Sequence, residues 1–336
     1  MTVTVRSFAK INLGLRIGAP RADGYHELRT VYQTIGLHDV IRVRPTTGSR
    51  IEVRCADPRV PSDESNTCYR LVARALAVLK ARRGFVIEIE KRLPVKGGLG
   101  GASSNAVAAM LAVEQALGKR IPANDRLRIA AEVGSDLPLF LLGGTVIGTG
   151  RGEEVYPALD LPSVTCVVAM PEIGVSTPRA FADWDAMHRE DGSGDEQGTA
   201  QLTRPMASDR MLKFSHTISA WLGGLPQMLS GVPGKRSRGR AETPLLDLVR
   251  TGIENDFEQV VFPQYPALRQ VKRVLTHAGA SYASLSGSGS ALYGLFALPR
   301  RSQKAVAALH ENDIPTVVTR TLTRKQYWAK MLVSSF

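Results

Sequence analysis

Residues 93–110 read LPVKGGLGGASSNAVAAM, with four glycines in five positions: Gly97, Gly98, Gly100 and Gly101. Glycine tolerates positive φ and has no Cβ, so another group can approach its backbone closely. Ala102, Ser103, Ser104 and Asn105 follow, and Ser and Asn suit the N-cap of a helix. Residues 106–117 carry Val107, Met110, Leu111 and Leu117 at helical spacing, and Gly118 suits a C-terminal cap. Upstream, residues 85–90 alternate as a strand that feeds the glycines. Strand, glycine loop and helix start would aim free N–H groups and a positive helix end at one point, where phosphate fits. A tight turn with glycines needed only for packing is the alternative, and Ser-Ser-Asn at the helix start favours phosphate. A Walker A loop would end Gly-Lys-Ser/Thr, and a dinucleotide fingerprint would have glycine in place of Ser103, so neither applies.

Working outward, residues 2–17 predict a strand. Ile11, Leu13, Leu15 and Ile17 make an apolar face, and Lys10 and Asn12 share the other, ordinarily a solvated one. Arg21-Ala22-Asp23-Gly24-Tyr25-His26 is a turn whose Tyr25 and His26 are either functional or plain surface packing. Strands are expected at 40–43 and 51–55, a helix at 66–82, and a helix at 124–133 stopped by Gly134. Asp136 stands between that stop and Pro138, as an N-cap or as a functional carboxylate. Strands are expected at 145–148 and 164–170. Residues 171–181 form a loop leading into a helix, with Ser176 or Thr177 as N-cap and Pro178 near its first position.

Residues 185–243 differ in character. They open with a polar run at 189–200 that should be mobile, pass an amphipathic piece near 211–222, and end in the basic run KRSRGR at 235–240. They are expected to be a solvated insertion carrying little chemistry. Regular structure resumes with a helix at 267–277, strand-turn-strand at 282–296, a helix at 301–311 and a strand at 316–322. Gly287 and Gly289 in that turn either let the backbone reverse or form a second wall of a ligand site.

The bulk numbers bound the function class. With 336 residues and 43% hydrophobic content, the chain is one large domain or two ordinary ones. Lys and Arg number 43 against 31 Asp and Glu, a net +12 that suits polyanionic small substrates as well as nucleic acid. The basic residues are dispersed, and KRSRGR has no interleaved aromatics, which argues against nucleic acid. Cys55, Cys68 and Cys166 are odd in number and widely spaced, pointing to a reducing cytoplasm, and no Cys/His pairing has zinc spacing. The opening MTVTVRSFAK lacks signal-peptide character, and the most apolar stretch, 137–147, is too short to span a bilayer.

Ala9-Lys10-Ile11-Asn12-Leu13, RADGYHEL at 21–28, KRLPVKGGLGGASSNA at 91–106, Gly-Ser-Asp-Leu-Pro at 134–138 and the glycine turn at 285–290 together resemble the GHMP kinases. These phosphorylate galactose, homoserine, mevalonate and phosphomevalonate. The resemblance covers most of the chain outside 185–243. It implies an α+β two-domain fold: an N-terminal domain (1–160) like domain 2 of ribosomal protein S5, and a ferredoxin-like C-terminal domain (161–336), with the active site between. It implies an ATP-dependent kinase with Mg²⁺, whose metal ligands no motif marks. RADGYH further implies the branch that phosphorylates a diphosphocytidyl sugar alcohol of the non-mevalonate isoprenoid route. A mevalonate- or homoserine-like substrate is the alternative, with no nucleic-acid or membrane partner. By position, Asp136 matches the catalytic aspartate and Lys10 the lysine paired with it. Pro94, Val95, Lys96, Gly97, Gly98, Leu99, Gly100, Gly101, Ala102, Ser103 and Ser104 match the loop around ATP, and Asn66 the approach to adenine. Asn12, Tyr25, His26, Phe181, Gly287, Ser288 and Gly289 match the substrate side, with Phe181 and Tyr25 expected to sandwich the cytosine. Lys96 stands where many relatives have a small residue, Ala102 replaces a glycine of some, and the insertion is long for the family.

Overall fold

The computed structural model describes residues 1–160, 162–190, 203–229, 248–249 and 252–332. The first sheet is built on one long antiparallel pair, β1 (Val3–Pro20) and β2 (His26–Pro45), with Val3 opposite Val43 and Pro20 opposite His26. The register shifts between Phe8 and Lys10 and again between Asn12 and Gly14. Such irregularities re-aim side chains, and Lys10 and Asn12 lie between them. β3 (Ile51–Cys55) runs parallel to β4 (Phe85–Glu90). A parallel pair requires a crossover, and α1 (Thr67–Val78) supplies it. On its other edge, β2 pairs β4 through residues 40–45 and β5 (Thr145–Thr149) through residues 30–33. β6 (Glu154–Pro157) closes the six-stranded sheet beyond β5.

α2 (Gly101–Leu117) is enclosed, with every residue from 104 to 110 buried. Its alanines let it lie close to α1 and to the sheet, where Val107 and Met110 join Phe8, Ile41, Leu71 and Ile87 in one core. α3 (Ala123–Val133) and the single turn α4 (Leu137–Phe140) cover its side, adding Ile129, Val133 and Phe140. Each such large side chain contributes roughly 1.5–3 kcal/mol on burial.

The second half of the chain forms a four-stranded antiparallel sheet from β7 (Thr165–Ala169), β8 (Tyr282–Leu285), β9 (Leu292–Phe296) and β10 (Thr316–Arg320). Its order is β10-β7-β9-β8. Fourth, first, third, second, with helices in the first and last connections, is the ferredoxin-like arrangement. Between β7 and β8 come α5 (Thr177–Glu190), α6 (Thr203–Leu229), α7 (Phe257–Gln264) and α8 (Pro266–His277). α9 (Pro299–His310) joins β9 to β10, and α10 (Arg324–Met331) returns to the first sheet. Leu268, Val271 and Leu275 of α8 share a core with Leu309 of α9 and Phe296 of β9. The α+β, two-sheet fold is the one the resemblance implied.

Several expectations need correction. Lys10 and Asn12 are not on a solvated face, because β1 is covered on both sides and both side chains are buried. The first half of β2 and all of α10 carry no periodicity simple enough to have been read. Residues 185–243 are not merely a solvated excursion over their described part. Met211, Phe214, Ile218 and Trp221 of α6 recur at helical spacing and are buried. Gly14 makes room for α6, since a Cβ there would lie 3.2 Å from the Phe214 ring. The Arg29 guanidinium donates to the Met211 carbonyl (2.7 Å), and Arg210 donates to buried Asp256 (2.7 Å). The run at 191–200 and the KRSRGR run lie outside the described residues.

Candidate active site

The glycine loop bends where β4 hands over to α2. Gly98 (φ 73°) and Gly100 (φ 69°) occupy the left-handed region, and so does Lys96 (φ 61°). At Gly98 nothing larger fits, since a Cβ would fall 2.0 Å from the Ser286 carbonyl oxygen. The helix begins at Gly101 with Gly100 as its N-cap and no side-chain cap, which leaves its first N–H groups open to a ligand. This corrects the expected Ser/Asn cap. Ser104 and Asn105 instead turn inward, and the Ser7 hydroxyl lies 2.7 Å from Ser104 Oγ and 2.6 Å from Asn105 Oδ1. A cavity of about 480 Å³ opens over the loop, a size that suits a small-molecule ligand. Asn66 and every residue from Pro94 to Ser103 line it; Ser104 does not. Asn66 also caps α1, accepting from Cys68 N–H (2.8 Å), so its oxygen is already engaged. Cys68 lines the cavity too, and burial pushes its thiol up to about 12.

One residue that sequence reasoning missed fixes this loop. Asp39 is fully buried and accepts four hydrogen bonds. Lys91 Nζ, Arg92 N–H and Leu93 N–H each donate at 2.7 Å, and Asn105 Nδ2 donates at 2.9 Å. One carboxylate therefore ties the strand end to the first turn of α2. Nothing local to Asp39 advertises this, because its partners lie more than fifty residues away.

Lys10 lies where the walls meet. Its backbone N–H donates to the Leu99 carbonyl (3.0 Å), and a Cβ at Gly100 would lie 3.0 Å from its Cγ. Its ammonium is 3.5 Å from Asp136 Oδ2, the two side chains being 4% and 33% exposed. The ammonium also donates to Asn12 Oδ1 (2.7 Å), and Asn12 Nδ2 donates to Thr30 Oγ1 (2.8 Å). A Cβ at Gly287 would stand 3.5 Å from Lys10 Nζ, so the second glycine turn closes on the same point. The two glycine segments also touch directly, the Ser286 hydroxyl donating to the Gly98 carbonyl (2.9 Å). Asp136 makes no N-cap bond to α4, which removes the N-cap reading. Tyr32, also unforeseen, donates its hydroxyl to Asp136 Oδ1 (3.1 Å).

His26, Phe181 and Ser288 gather around α5. His26 Nε2 is 2.7 Å from Asp185 Oδ1, and its ring stacks on Phe181 at 5.0 Å and 10°. Phe181 in turn meets Phe257 edge-on. Tyr25 is 53% exposed, with the Arg151 guanidinium 4.9 Å from its ring centre. The ring stacked directly on Phe181 is that of His26. Ser288 Oγ is 2.7 Å from Thr177 Oγ1, which holds the second glycine turn to the start of α5.

Residues 66–144 match the family model "GHMP kinases N terminal domain", and residues 242–314 match "GHMP kinases C terminal". The chain is 35% identical to 4-diphosphocytidyl-2-C-methyl-D-erythritol kinase of Solibacter usitatus, over 97% of this chain and 90% of that protein. It is 30% identical to the kinase of the same name from Acaryochloris marina, over 94% and 96%. A crystal structure of 4-(cytidine 5'-diphospho)-2C-methyl-D-erythritol kinase superposes with a TM-score of 0.68 at 27% identity, covering 95% of this chain and 98% of that one. A homoserine kinase from Cytophaga hutchinsonii, at 20% identity and a TM-score of 0.66, shares the fold. The chain belongs to the GHMP kinases, which are ATP-dependent small-molecule kinases, and within them to the family of 4-diphosphocytidyl-2-C-methyl-D-erythritol kinases. Among the described residues no helix is long and apolar enough to cross a membrane.

Proposed function

We propose that this chain transfers the γ-phosphoryl group of ATP to the 2-hydroxyl of 4-diphosphocytidyl-2-C-methyl-D-erythritol, in the non-mevalonate route to isoprenoid precursors. One observation carries the kinase chemistry: Lys10 touches the phosphate loop with its stem and Asp136 with its ammonium. The substrate follows the names of the relatives.

Phosphoryl transfer needs positioning and charge stabilisation more than covalent help. The open N–H groups at the start of α2 hold the phosphates. Asp136 accepts the proton of the 2-hydroxyl as its oxygen bonds to the γ-phosphorus. The bond from that phosphorus to the β–γ bridging oxygen breaks, and ADP leaves. Lys10 faces the negative charge developing on the transferring group. Mg²⁺, when bound, would neutralise charge on the phosphates, and the hydroxyls lining the cavity that could hold it are those of Ser65, Thr67 and Ser103.

On the acceptor side we assign Asn12, Tyr25, His26, Phe181 and Gly287–Gly289 to the diphosphocytidyl substrate. Tyr25 offers an exposed aromatic face and His26 a ring fixed by Asp185. We divide the chain at residue 160, with 1–160 carrying the phosphate loop and 161–336 the second glycine turn. Three free cysteines support a cytoplasmic setting. The test is ATP-dependent phosphorylation of 4-diphosphocytidyl-2-C-methyl-D-erythritol, with mevalonate and homoserine as controls. Turnover of a control in preference to the cytidyl alcohol would displace this substrate.

A further inference from the structure

Asp136 is the one site carboxylate on a short turn, and α4, with only four residues, supplies no cap to hold it. Its two oxygens are engaged by different partners. Oδ2 faces Lys10 at 3.5 Å, and Oδ1 accepts from Tyr32 at 3.1 Å. Tyr32 is buried on β2, and burial together with the neighbouring Asp136 carboxylate raises its phenol well above the ordinary tyrosine value. It therefore remains a donor throughout the working range of pH. The second acceptor within reach, the Gly152 carbonyl at 3.4 Å, is more distant.

The ring is placed with care. A Cβ at Gly148 would come 2.6 Å from Tyr32 Cε2, and one at Gly152 would come 2.5 Å from the phenolic oxygen. Gly152 also holds φ 101°, which side chains rarely adopt. The hairpin of β5 and β6 is thus hollowed by two glycines at the points where the phenol lies. The same hairpin presents Arg151 to the ring of Tyr25.

We propose that Tyr32 is a positioning residue for the reaction: its hydroxyl fixes the rotation of the Asp136 carboxylate so that one oxygen faces Lys10 and the acceptor hydroxyl. This rests on the reading of Asp136 as the base. The hydroxyl acts through Asp136, while the ring, whose centre lies 5.6 Å from Lys10 Nζ, is kept when tyrosine becomes phenylalanine; the hydroxyl and Asp136 therefore form one unit and their losses do not multiply.

The experiment is a double-mutant cycle with Tyr32→Phe and Asp136→Asn, read as kcat, as KM for ATP and for the cytidyl alcohol, and as equilibrium ATP binding. Tyr32→Phe removes one atom and leaves the glycine cradle intact. It is expected to lower kcat about tenfold, the lower end of what a hydrogen bond to a charged group supplies. Both KM values and ATP affinity should stay within about twofold, and in the Asp136→Asn background the substitution should have no further effect. An unchanged kcat in Tyr32→Phe overturns the proposal. So does a parallel fall in kcat and ATP affinity, or a loss that multiplies with that of Asp136→Asn, since either marks a general structural role. Full turnover in Asp136→Asn alone would instead remove the base assignment, a separate outcome.

Discussion

The two walls of the cleft are made differently. The proposed phosphate wall is backbone: a glycine bend and the start of α2, contiguous in sequence and tied down by buried Asp39. The proposed acceptor wall is side chain. Lys10 and Asn12 come from β1, Tyr25 from the turn before β2, His26 from the first residue of β2, Asp136 from the position before α4, and Phe181 from α5. Backbone N–H groups hold a triphosphate whatever its acceptor, so that wall can be generic. Side chains drawn from distant segments can be exchanged one at a time, so substrate choice belongs to the other wall.

The largest expected effect tests whether the walls separate. Asp136→Asn should reduce turnover about 10²–10⁴-fold, the usual loss for a positioned base, while ATP binding by titration stays as in the parent chain. A comparable fall in ATP affinity would show that the walls do not act apart.

Asp39→Ala attacks the other side. Lys91 is only 11% exposed, and without its partner its charge is left buried. Breaking a buried pair this way typically destabilises by about 3–5 kcal/mol, measurable by denaturant unfolding. The loop is then free to shift, so KM for ATP should rise more than KM for the alcohol. A larger rise for the alcohol would place Asp39 on the wrong wall.

Tyr25→Ala should do the reverse. Stacking of one base on an aromatic ring is worth about 1–3 kcal/mol, so KM for the cytidyl substrate should rise roughly 5- to 150-fold with KM for ATP unmoved. Equal rises for both substrates would break the division. Because His26 already covers one face of Phe181, a companion Phe181→Leu exchange should matter less than Tyr25→Ala.

The same contrast explains what could be read from the sequence. Glycines dictate backbone directly, so Gly97–Gly101 announced the tight bend ahead of α2, and alternation announced β4 and the apolar side of β1. Lys10 and Asp136 gained meaning only through resemblance, since a lysine on a strand and an aspartate before a proline have ordinary explanations. Asp39 and Tyr32 left no trace. Their partners lie across the fold, and a buried donor or carboxylate on a strand looks like any polar residue until its neighbours are known. The long polar stretch after Phe181 misled for a related reason. Its composition describes solvent-facing residues, whereas the stripe on α6 buries a few members among many exposed ones and half-buried Asp185 holds His26.

The smallest effect sharpens the comparison most, because it pits backbone against charge within one residue. Lys96 is exposed, lines the cavity over the glycine loop and holds φ 61°. A left-handed conformation costs a side-chain-bearing residue roughly 1–2 kcal/mol, and glycine offsets part of that gain through its freer unfolded chain. Lys96→Gly should therefore raise stability by up to about 1 kcal/mol. If the ammonium serves the phosphate wall, KM for ATP rises two- to fivefold, about what an exposed ion pair contributes, and the effect fades as salt is added. Opposite signs in the unfolding and kinetic measurements are the expected result, with backbone strain accepted so that a charge can stand beside the triphosphate. A KM for ATP that does not move even at low salt would return Lys96 to the solvent and leave the phosphate wall to its amides.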